Sequence, residues 1–152
     1  MELTIKDFHH LNRPLQLKGG EFKTLTEILY ETDEFLEVCH NHIQWLFPTN
    51  KPSMFNKDAP MLTQDNYIYV RSNLHKMVNR MMKFFNNTDM TMMNHNHLRV
   101  TRIIECCTLC GDNILAGIFL NHAFGLYLPQ DDTLNVVNYW IEALKIKGWN
   151  CL

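Results

Sequence analysis

Two short segments hold the side chains best placed to do chemistry: His40-Asn41-His42, which opens HNHIQWLFPTN, and His95-Asn96-His97, which opens HNHLRVTRII. Paired imidazoles first suggest a metal. A zinc-binding helix sets histidines at i and i+4 so that both face one ion, with a third ligand from elsewhere. Here His40 is followed at that spacing by Gln44, and His95 by Arg99. Histidines two apart on a helix point about 200° away from each other. Neither segment chelates an ion alone, so no metal or cofactor is expected. The chain has neither a serine elbow flanked by glycines nor a glycine-rich phosphate loop, so the ordinary enzyme signatures are missing.

Helical projection, at about 100° per residue, separates the roles within each segment. Phe35, Val38, Cys39, Trp45 and Leu46 surround His42 and place it toward a core, while Glu37, His40 and Gln44 share a narrower polar arc. In the second segment His95, Arg99, Arg102 and Cys106 fall on one stripe. Val100, Ile104, Cys107 and Gly111 form the apolar side, with His97 at its edge. Two arginines and a histidine near a helix N-terminus are suited to gripping phosphate or carboxylate, because the guanidinium fork and the helix dipole act together. The plainer alternative is an internal network in which Arg99 and Arg102 pair with Glu37, Glu105 or Asp112. Cys107-Thr-Leu-Cys110, preceded by Cys106, lacks the second cysteine pair of a zinc site and any βαβ context for thiol redox chemistry. Those cysteines read as small buried residues.

The elements that must carry these residues are helical. At 152 residues the chain suits one compact domain, and a net charge of −2 gives no strong attraction to nucleic acid. Residues 1–22, with Pro14 and Gly19-Gly20, read as an irregular arm that docks or stays mobile, leaving 23–152 as the domain. Apolar residues recur at threes and fours from Phe22 to Phe47, with Thr32 or Asp33 able to cap a fresh helix and Pro48 as the stop. Three prolines make 48–60 an ordered loop. Thr63 then caps a long helix with a methionine-rich core stripe running to Phe85, and 86–94 reads as a connection. Helices near 94–110, 113–128 and 132–147 follow, separated by Gly111-Asp112 and Pro129 and closed by Gly148. The expected fold is all-α, a single compact domain of five to six helices. No window is apolar enough to span a bilayer, the start lacks a secretory pattern, and five cysteines fit reduced thiols. An intracellular protein, cytoplasmic or nuclear and not secreted, is expected.

Several stretches together resemble the opioid growth factor receptor conserved domain. HNHIQWLFPTNKPSMFNKDAPMLT is similar to that family's signature, RMMKFFN to its Arg-Met-Leu-x-Phe-Tyr-Gly, HNHLRVTRIIECCTLCG to its His-Asn-Tyr-Leu-Arg-Ile-Thr-Arg segment, and VVNYWIEAL to its closing helix. The match runs in order from about Glu34 to Lys145. It accounts for the repeated His-Asn-His: the family has tyrosine where His42 and His97 stand, so both are substitutions of an aromatic residue. Phe85 and Asn86 depart from the family's Tyr-Gly. The resemblance implies an all-helical intracellular domain. In animal members it is joined to repeat-bearing tails and associated with Met-enkephalin binding and the nuclear envelope. Members that are little more than the domain occur in microbes and viruses.

The reading that follows is a non-enzymatic binding module for an anionic small molecule, peptide or acidic protein. Its ligand-binding residues would be His40, Gln44, Trp45, His95, Asn96, Arg99 and Arg102. A viral or microbial module of this kind would act on a host signal. Two alternatives stand beside it: an enzyme using His40 or His95 as general acid/base on a phosphoryl or acyl group, and a structural oligomer scaffold with an exposed apolar helix face.

Overall fold

A computed structural model describes residues 2–54, 56–91, 94–127 and 135–149. The described residues form nine helices and one two-stranded hairpin, so the fold is essentially all-α. The chain gathers into two compact units, Met1–Met77 and Val78–Leu152. There are more helices than the five to six expected, because polar side chains break the long apolar runs into short pieces.

In the first unit, the segment read from the sequence as an irregular arm holds a helix and the first part of a hairpin. Thr4 caps α1 (Ile5–His9) with a reciprocal Thr4–Asp7 box, and α1 buries Ile5, Phe8 and His9. Strands β1 (Leu15–Gln16) and β2 (Phe22–Lys23) pair antiparallel, Leu15 opposite Lys23. Their turn uses Gly20 at φ 90°, where a side chain would strain the backbone. The apolar run from 22 to 47 divides into α2 (Leu25–Leu29), α3 (Asp33–Val38) and α4 (His42–Leu46). Thr24 and Thr32 each accept a hydrogen bond from the third residue of the helix they precede. Thr32 thus starts the fresh helix anticipated there.

Pro48 ends α4, as expected of a residue without an N–H, and the loop beyond is tied at its neck by Leu62 N–H donating to the Thr49 carbonyl at 2.8 Å. The single helix expected after Thr63 is two, α5 (Tyr67–Arg71) and α6 (Leu74–Asn86). At the break the Ser72 hydroxyl donates to the Tyr69 carbonyl at 2.7 Å, competing with the helix ladder, and the Asn73 amide turns inward to the His9 carbonyl at 3.0 Å. Along α6, Leu74, Met77, Val78, Met81, Phe84 and Phe85 are buried at helical spacing, which makes the methionine stripe core.

The second unit is built around α7 (His95–Leu109), which packs against both α8 (Asn113–Tyr127) and α9 (Val136–Leu144). Asn94 caps α7 through Asn96 N–H at 2.8 Å. Gly111, at φ 81°, ends it: its N–H reaches the Thr108 carbonyl at 3.0 Å and that of Asp112 the Cys107 carbonyl at 2.9 Å. This left-handed Gly closure satisfies the last carbonyls, and Asp112 Oδ1 then accepts from Leu115 N–H at 3.1 Å to begin α8. The Gly111-Asp112 stop is therefore where the sequence placed it. Pro129 and the expected start of the last helix lie outside the described residues, as do Phe55 and Cys151. None of the described helices is long and apolar enough to cross a membrane.

Candidate functional site

In the first unit, the polar arc expected from one continuous helix does not exist. α3 ends at Val38 and α4 starts at His42, so His40 lies in the connection and its projected alignment with Glu37 and Gln44 is lost. His40 is exposed and Gln44 buried. Oriented so that its nitrogen faces two carbonyls, the Gln44 amide donates to His40 O at 3.0 Å and Asn41 O at 3.1 Å. Gln44 therefore braces the start of α4. Trp45, expected to wall a ligand site, is buried edge-on to Phe8 with ring centroids 5.7 Å apart. His42 is buried as anticipated, its ring 6.4 Å from that of Phe35. Val38, placed with it by projection, is exposed.

One group in this unit escaped sequence reasoning. His9 is buried between α1, α4 and the α5–α6 break. Its Nε2 lies 2.8 Å from the Trp45 carbonyl, and Asn73 Nδ2 lies 3.1 Å from its Nδ1 and 3.0 Å from its carbonyl. Both ring contacts are satisfied by one state: Nε2–H donates to the carbonyl and the Nδ1 lone pair accepts from the amide. Burial pushes the pKa down to about 4, against the pull of the Trp45 carbonyl, and the Lys76 charge lowers it further. His9, adjacent to His10 in a segment without helical periodicity, gave no pattern by which to find it.

In the second unit, His95 is exposed at the first position of α7, while Asn96 and Arg99 are buried and Arg102 half-buried. The stripe is only partly a solvent face: His95 is exposed and Arg102 half-buried, whereas Arg99 and Cys106 are buried. The Arg99 guanidinium lies over the Phe84 ring at 5.8 Å, a cation–π contact inside the unit. Burial lowers the pKa of Arg102, and the neighbouring Cys106 thiol and Glu105 carboxylate oppose that shift. The group stays charged, since an arginine is not deprotonated in proteins.

His97 belongs to the core. Its Nε2 donates to the Met90 carbonyl at 3.1 Å, and its ring meets Tyr127 and Trp140 at 4.9 and 5.9 Å, both edge-on. The Trp140 indole N–H in turn donates to the His97 carbonyl at 3.3 Å. This three-ring cluster is what an aromatic residue at that position would also build. His122, assigned no role from sequence, donates from Nε2 to Asn86 Oδ1 at 2.7 Å. Cys106, Cys107 and Cys110 are buried thiols, and burial raises the pKa of Cys106 and Cys107. They are the small interior residues expected. Among the described residues no group of three or more His, Cys, Asp or Glu could hold a metal ion.

Fold and side chains define an all-helical protein whose second unit carries two partly desolvated arginines on one helix. Comparison with protein-family models, curated proteins and solved structures gave no match.

Proposed function

We propose that this chain is a non-enzymatic, intracellular helical binding module of the kind represented by the opioid growth factor receptor conserved domain, and that α7 takes an anionic group through His95, Arg99 and Arg102. The observation that carries the reading is the pair of arginines one turn apart on a 15-residue helix, Arg99 buried and Arg102 half-buried, behind an exposed His95 at its first position. A guanidinium in a low-dielectric setting attracts an anion more strongly than one in water and offers a planar fork to carboxylate or phosphate. The ligand class is a peptide carboxylate, an acidic segment of a partner protein, or a small phosphorylated molecule. Gln44 and Trp45 have no part in this reading, since the first unit uses them for its own packing.

A second reading is favoured by Arg99 itself: buried on Phe84, it is placed as an internal strut. One experiment separates the two. Isotope-labelled protein is titrated with inorganic phosphate, with Met-enkephalin and with its C-terminal amide, following the arginine side-chain and α7 backbone NMR signals. Phosphate and the free carboxylate are expected to shift the Arg102 and His95 signals, and the amide is not. Arg102→Gln should remove the response while leaving helical content and Tm within the wild-type range. No response to either anion, or an Arg102→Gln variant that only loses stability, would leave the strut alone standing.

A further inference from the structure

Helix α8 has an outward side that nothing described in the chain covers. Its fifteen residues, NILAGIFLNHAFGLY, contain no Asp, Glu, Lys or Arg. The buried residues Leu115, Ala116, Phe119, Ala123 and Tyr127 occupy one arc. Opposite them, Ile114, Ile118 and Phe124 are 80%, 51% and 42% exposed, with Asn121 and Gly125 exposed and Gly117 half-buried between them. Glycine weakens a helix interior through backbone entropy, so two in one helix call for a reason. Packing within the chain does not provide it, because a Cβ built at Gly117 or Gly125 meets nothing within 4 Å. At Gly148, by contrast, a Cβ would run into the Thr108 carbonyl at 2.5 Å.

Gly117, Asn121 and Gly125 recur every four residues along the centre of this face, flanked by Ile118 on one side and Phe124 on the other. We propose that this face is the interface of a homodimer, in which α8 crosses its own copy antiparallel about a two-fold axis at Asn121. That axis sets Gly117 of one protomer against Gly125 of its partner, Ile118 against Phe124, and Asn121 against Asn121. The pattern is therefore complementary to itself, as a two-fold contact requires. Charge selects the same occupant. A face without formal charge meets no like-charge repulsion on its copy and gives a charged partner nothing to pair with. The glycines let the two backbones approach closely, and the facing Asn121 amides hydrogen-bond each other, fixing the register. One helix pair about 22 Å long supplies less than the ~1,600 Å² of a standard stable interface, so the dimer is a weak, concentration-dependent one.

Sedimentation velocity from 1 to 200 µM on the full chain is the test. The wild type is expected to move from monomer to dimer across that range. Ile118→Glu and, separately, Gly125→Leu should remain monomeric throughout with unchanged helical circular dichroism, both sites being exposed. In a Cys39→Ser/Cys151→Ser background, Asn121→Cys should form a disulfide-linked dimer with diamide as oxidant, two thiols giving one disulfide and the reduced hydrazine. Asn113→Cys, exposed on the same helix but away from the axis, should do so at least tenfold more slowly. A wild type that stays monomeric, a dimer that survives Ile118→Glu and Gly125→Leu, or equal cross-linking at 113 and 121 would each overturn the proposal.

Discussion

Acidification should unlock the first unit through a single side chain, His9. In the folded chain its Nδ1 must accept a hydrogen bond from the Asn73 amide, which is also held by the His9 carbonyl. A proton on Nδ1 turns that acceptor into a donor facing a donor. Rotating the Asn73 amide would restore one contact at the expense of the other. The burial that lowers the His9 pKa from 6.5 to about 4 thus has a stability consequence with a definite sign. Because the unfolded chain binds the proton more readily, stability is full above about pH 6.5, falls below it, and has lost this contribution once pH passes below about 4. At 1.36 kcal/mol per pH unit the displacement corresponds to about 3 kcal/mol, a large share of the ~5–15 kcal/mol typical of a domain. The assay is urea unfolding at half-unit steps from pH 7.5 to 4.5 for wild type and His9→Gln, followed by intrinsic tryptophan fluorescence. The glutamine variant, which cannot take up a proton there, is expected to start less stable and to lose less on acidification, so the two curves converge. Parallel curves, or an NMR titration of the His9 ring with a midpoint near 6.5, would refute the reasoning.

Two further outcomes follow from the second unit. Gly148→Ala places a Cβ 2.5 and 2.7 Å from the Thr108 and Leu109 carbonyls, backbone atoms at the end of α7 that cannot swing aside. The variant should lose about 1–3 kcal/mol, seen as a drop in Tm, and an unchanged Tm would mean the approach is looser than described. Cys106, Cys107 and Cys110 should resist a thiol reagent at pH 8 in the folded chain and react on unfolding, because burial keeps the Cys106 and Cys107 thiols protonated. Half-buried Cys39 should be modified before these three; rapid labelling within the 106–110 cluster would contradict this burial.

Much of the helical punctuation was legible in the sequence, because a cap or a stop is a local event. Thr32 accepts from an N–H three residues on, Pro48 lacks a donor, and Gly111 takes a left-handed turn in which its own N–H and that of Asp112 reach carbonyls three and five residues back respectively. The helical period likewise marked Met77 and Met81 as core, and a histidine in an apolar stripe, His42 or His97, as an interior ring. Burial that depends on distant partners was not legible. Projection put Arg99 and Cys106 on a polar stripe with exposed His95, but both are buried, and projecting one helix cannot show where its neighbours pack. Residues 1–22 gave no period to read, yet Phe8 and His9 become interior once α1 meets α4 and α5. His40 and Gln44 share a helical face only if the helix is unbroken, and the connection at 39–41 decides otherwise. Sequence determines which way each segment starts, stops and turns, since those energies lie within a few residues. Tertiary structure alone decides which polar groups leave water, since that depends on what packs beside them.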